Sequence, residues 1–95
     1  MTDLEIIKRC AEKIGCHTKI DGDTVWAWTH PSKSQEIYNP LIKDAQCMAL
    51  VKKFHLKISR GLPPLDEWHV ETYNTNHAYN KDLNRAVCEC VARMP

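Results

Sequence analysis

The stretch from Tyr38 to Ile58 constrains the fold most, because a marked helix start, an apolar helix and a short strand follow one another there. Asn39 at the N-cap accepts a hydrogen bond from a free first-turn amide, and Pro40 at the first helical position has no amide to leave unpaired. Leu41, Ala45, Cys47, Met48, Ala49, Leu50, Val51 and Phe54 then cover so much of the circumference that more than a narrow stripe must be buried. The reading is a central helix opening at the Asn-Pro turn. Leu56 and Ile58 alternate with His55 and Lys57 after it, the pattern of a half-buried strand. None of these residues carries chemistry.

The flanks supply the other elements. Thr2 and Glu5 match a capping box, Leu4, Ile7, Ala11 and Ile14 recur on one helical face, and Gly15 follows as a stop, so a first helix spans about residues 3–14. Residues 17–20 and 24–29 read as a hairpin around Asp21-Gly22-Asp23. In its second strand Trp26 and Trp28 share one face and Val25 and Ala27 the other, so both faces are apolar and helices are expected on both. Pro31 to Ser34 is a polar turn, and Glu36 to Tyr38 adds a third strand. Pro63 and Pro64 stiffen a loop before the alternating run Trp68 to Tyr73. Residues 74–80 form a polar loop holding His77 and Tyr79, with Asn80 as the cap of a third helix that carries Leu83, Ala86, Val87, Cys90, Val91 and Met94 on one face. The expected class is α+β: an antiparallel sheet of four or five short strands packed with three α-helices.

A chain of 95 residues is long enough for one core, so residues 1–95 are read as a single domain. Net charge is +1 with acids and bases interleaved, which argues against a duplex nucleic-acid binder. No run approaches the roughly 18 apolar residues of a membrane span and no leader precedes the first helix, so a soluble cytoplasmic protein is expected. Five cysteines, an odd number without paired metal-type spacing, read as reduced thiols.

Chemistry is sparse. Cys88-Glu89-Cys90 lies within a helix, where residues two apart point to different sides, so no metal site is read there. There is no glycine-rich phosphate loop, nucleophile elbow or carboxylate pair with a partner base, and the expectation is no catalysis, no catalytic residue and no cofactor. The ring residues are more informative. Trp26, Trp28, Trp68, Tyr73 and Tyr79 with His30, His69 and His77 fall on the strands and their exits, where planar rings stack on a base. The competing reading puts the indoles in the core. Lys81 and Arg85 lie at the start of the third helix, whose free amides and positive dipole end attract an anion. The candidate ligand-binding set is therefore Trp28, His30, His77, Tyr79, Lys81 and Arg85.

Tyr38-Asn39-Pro40-Leu41, Asp44-Ala45, Ala49-Leu50-Val51 and Leu56-Lys57-Ile58 resemble the NinX-like family of small phage and prophage proteins. The likeness covers residues 4–92 in layout and 38–58 in motif; Lys43, Gln46 and the loop at 74–80 depart from it. The resemblance implies an α-β-α sandwich and a noncatalytic phage accessory protein in a bacterial cytoplasm. It implies one that captures a small anionic, nucleotide-type ligand, as in sequestering a host defence signal. The alternative is a protein–protein module that inhibits or redirects a host enzyme. Near-zero net charge eases self-association, so a homo-oligomer is expected in either case.

Overall fold

The structure, a computed structural model, describes residues 1–29, 34–61, 66–72 and 76–95. Helix α1 spans Asp3–Lys13, and the Thr2 hydroxyl accepts from the Glu5 amide at 3.2 Å, as the capping pattern predicts. Gly15 ends it at a φ of +85°, a conformation that L side chains rarely adopt. The hairpin follows as β1 (His17–Asp21) and β2 (Thr24–Trp28), paired antiparallel, with Asp21 opposite Thr24. The connection is thus a two-residue turn with Gly22 at a φ of +60°. Strand β3 (Glu36–Ile37) pairs antiparallel with β2 and completes a first sheet, order β1-β2-β3.

Helix α2 occupies Asp44–Phe54, four residues later than the Asn-Pro reading placed its start. The Asn39 side chain caps a tight turn instead: its Oδ1 accepts from the Leu41 amide at 3.2 Å, and its carbonyl accepts from Ile42 and Lys43. Lys43 stands at the N-cap with no side-chain cap bond. His55, at a φ of +51°, closes the helix, so the strand pattern begins two residues later than expected. Strands β4 (Lys57–Arg60), β5 (Trp68–Glu71) and β6 (His77–Asn80) form a second antiparallel sheet, order β4-β5-β6, before α3 (Leu83–Ala92).

The α+β class holds, but six strands lie in two three-stranded sheets rather than four or five in one. A physical reason is visible at β3. Lys43 Nζ and Gln46 Nε2 both donate to the Ile37 carbonyl, at 3.2 and 3.1 Å, so this two-residue edge is closed to a further strand. The layering also differs from helices on both faces of one sheet. Helix α1 packs on β1 and β2 and on α3, while α3 packs on α1, α2, β5 and β6. The helices therefore lie between the sheets.

Centrality passes from α2 to α3. Ala86, Val87, Cys88, Cys90, Val91 and Ala92 of α3 are all buried, whereas α2 buries only Cys47 and Leu50 and leaves Met48 46% exposed. Small side chains explain it, since Ala and Cys let neighbouring helices and strands approach α3 closely from several sides. The inner face of the first sheet buries Val25 and Ala27, and that of the second buries Val70 opposite Ala78.

Candidate functional site

Strand alternation decides which side chains reach solvent. In the first sheet Val25 and Ala27 face the helices, so Trp26 and Trp28 face outward, with Ile37 opposite Trp26 and His17 opposite Trp28. Both indoles are half-buried and Ile37 is 43% exposed. The expectation of helices on both faces of β2 fails here, because the helical layer meets only the Val25 and Ala27 side. Trp28 also borders a cavity of about 630 Å³ at the end of the sheet. Its apolar wall comes from Ile14, Ala27, Trp28, Tyr38 and Ala49. This is the size range and lining of small-molecule sites.

The polar groups of that wall are few. Gln46 is already engaged, its Oε1 accepting from the Asn39 amide at 2.7 Å and its Nε2 donating to Ile37. Glu36 is exposed, and Thr29 and Ser34 add hydroxyls. Among the described residues the wall contains no lysine, arginine or histidine. Its net character is apolar with one carboxylate. Burial, with the Glu36 carboxylate beside it, raises the Cys16 thiol above its ordinary value and keeps it protonated. Tyr38 joins this wall to the core: its hydroxyl is buried without a hydrogen-bond partner, and burial raises its pKa.

Behind Tyr38 three thiols meet, one from each helix. Cys10 Sγ donates to the Cys88 carbonyl at 3.4 Å. The neighbouring Cys10 and Cys47 thiols, with burial, raise Cys88, while the neighbouring Cys88 thiol lowers Cys47. Burial pushes Cys90 up to about 11. All five cysteines are free. Among the described residues no group of three or more metal-type side chains gathers in a way that would hold an ion.

His77 and Tyr79 come together, but on β6 rather than in a loop. They share the outer face of the second sheet with His69, which the sequence reading left out of the site. The His69 and Tyr79 rings stack at 4.4 Å and 7°, and His77 lies within 6 Å of both. His69 Nδ1 is 3.5 Å from Ser59 Oγ, and its Nε2 is buried without a partner. Tyr79 is 56% exposed. This cluster and Trp28 sit on different sheets.

The start of α3 is not the open anion site its sequence promises. The cap is Asp82, whose Oδ1 accepts from the Asn84 amide at 3.1 Å; Asn80 caps the turn before it, accepting from the Asp82 amide. Asp44 of α2 accepts from the Asn84 side chain at 2.9 Å, adding a second carboxylate. Arg85 reaches Asp3 at 2.7 Å and Glu89 at 2.8 Å, and Asp3 first, then Glu89, raise its pKa. Its charge is neutralised within the fold. Lys81 is exposed. His30, Tyr73 and the paired prolines lie outside the described residues.

Among the described residues no helix is long and apolar enough to cross a membrane. No protein-family model matches the chain, and no curated protein matches it.

Proposed function

We propose that this is a noncatalytic binding protein that captures a small planar ligand in the cavity beside Trp28. The observation that carries the reading is the cavity itself: about 630 Å³, lined by Trp28, Tyr38 and aliphatic residues, with Glu36 as the charged member among the described residues. A nucleobase suits such a wall, since its flat rings match the apolar lining and an exocyclic amine donates to Glu36. The nucleotide-type ligand anticipated from the sequence is thereby narrowed. The described residues of the wall include no cation, so the base and sugar are placed inside and any phosphate in solvent. The resemblance to small phage accessory proteins supports sequestration of a host signal, rather than turnover, as the use of such a site.

Free nucleosides test this directly. At a hundredfold excess over Kd a native-state ligand adds about 2.7 kcal/mol of stability, which raises Tm by roughly 10 °C or more in a domain of this size. Adenosine or cytidine is expected to give such a shift at saturation, Glu36→Gln to weaken it, and Trp28→Ala to remove it. No shift with any nucleoside contradicts the reading. A second reading, a protein-binding module, is favoured by the outward Trp26 and Ile37, which present apolar surface outside the cavity wall. It requires Trp26→Ser to abolish partner capture while nucleoside binding is unchanged.

A further inference from the structure

Four strand edges end the two sheets, and their chemistry differs. The β3 edge is two residues long, and its Ile37 carbonyl is taken by Lys43 and Gln46. On the β6 edge Arg93 Nη1 donates to the His77 carbonyl at 3.3 Å. On the β4 edge Lys57 and Arg60 are paired with Glu71 and Asp66, and the strand carries no acid to complement them in a second copy. The β1 edge is five residues long, and among the described residues no side chain donates to the backbone of Thr18 or Ile20.

The direction of the β1 backbone follows from its neighbour. The Val25 carbonyl accepts from the Tyr38 amide at 2.8 Å, on the β3 side of β2. Ile20 lies opposite Val25, so this is a non-hydrogen-bonded pair of the β1–β2 ladder and the Ile20 amide and carbonyl face away from β2. Thr18, two residues earlier, faces the same way. The side chains complete the edge: Ile20, on the helix-facing side, is 42% exposed, while Lys19 and Asp21 stand together on the outer face with opposite charges.

We propose that β1 pairs antiparallel with β1 of a second copy, about a two-fold axis at Ile20, joining the two first sheets into one six-stranded sheet. Ile20 exchanges its amide and carbonyl bonds with Ile20 of the second copy, and the two exposed side chains cover each other. In this register Lys19 lies directly opposite Asp21 of the second copy, and Asp21 opposite its Lys19. Charge selects the register: a shift that centres the axis on Lys19 sets lysine against lysine, which is unfavourable. The interface is isologous and closed, so it yields a dimer rather than a fibre. It leaves the Trp28 cavity open and does not depend on the ligand reading.

The test is sedimentation equilibrium of the full chain under reducing conditions over a wide concentration series, with a charge swap. A reversible monomer–dimer equilibrium is expected; Lys19→Asp or Asp21→Lys alone weakens the dimer by about tenfold or more, because two symmetry-related pairs become repulsive. The double swap restores it. Hydrogen exchange at the Ile20 amide slows as protein concentration rises. A chain that stays monomeric, a dimer indifferent to the single swaps, a double swap that fails to restore association, or an Ile20 amide indifferent to concentration overturns the proposal.

Discussion

The first sheet turns Trp26, Trp28 and Ile37 outward among His17, Lys19, Asp21 and Thr24, whereas the second, with as many strands and a helix packed on its inner face, turns out Lys57, Ser59, His69, Glu71, His77 and Tyr79, with no indole or aliphatic side chain among them. Their inner faces match, with Val25 at 2% and Val70 at 0% exposure. What separates them is the surface a core does not need. A solvated outer face is normally polar, as in the second sheet, so the indoles of the first are unexplained by packing alone. The Trp28 cavity borders the first sheet, where Ala27 and Glu36 share its lining. Folding accounts for both inner faces; the proposed ligand capture would account for the Trp28 end of the first sheet.

The strongest check on that contrast is its premise that the inner faces are equivalent. Val25→Ala and Val70→Ala should each cost about 2 kcal/mol in urea unfolding, since both delete buried methyl groups and leave a cavity. A large inequality breaks the comparison. Alkaline pH gives the next effect. Burial raises Cys90 to about 11 from an ordinary 9.0. The unfolded chain then loses this proton first, so the stability it contributes is full below pH 9 and is lost as pH rises through 11. Tm should therefore fall steeply over that window, and less steeply in Cys90→Ala. Arg85→Met comes third, losing about 1 kcal/mol with the Asp3 and Glu89 pairs, which are partly solvated. Tyr79→Ser should be smallest, within about 0.5 kcal/mol, because more than half of that side chain already meets water.

The sequence made local structure legible wherever a residue satisfied its own neighbours. Thr2 and Gly15 bounded α1, and Gly22 marked the hairpin, because caps and turns are settled within a few residues. The Asn39-Pro40 signal was real but marked a turn, since Asn39 bonds Leu41 locally whether or not a helix follows at once. Strand β6 was read as loop because His77–Asn80 buries only Ala78 and so shows almost no apolar alternation. The central helix was misassigned because large apolar residues outweigh small ones in a periodicity count, whereas close approach favours Ala and Cys.

The site divides along the same line. Trp28 was legible as a ring on a strand exit, and it does border the cavity. Glu36 and Gln46 line the same cavity but carry no signal in the sequence, because only the fold brings β3, α2 and the end of β2 to one place. Arg85 looked available because its partner Asp3 stands 82 positions away in sequence. Asp44, 40 positions from Asn84, was equally invisible at the start of α3. Long-range carboxylates decide whether a helix end attracts an anion, and periodicity carries no record of them.

Ligand capture at the Trp28 cavity is tested most directly by a nuclear magnetic resonance titration of the three indole N–H signals with adenosine, cytidine and their monophosphates. The Trp28 signal is expected to move in a saturable way, Trp68 to stay in place, and the monophosphate to gain nothing over the nucleoside. No movement at Trp28, or binding that requires the phosphate, contradicts it.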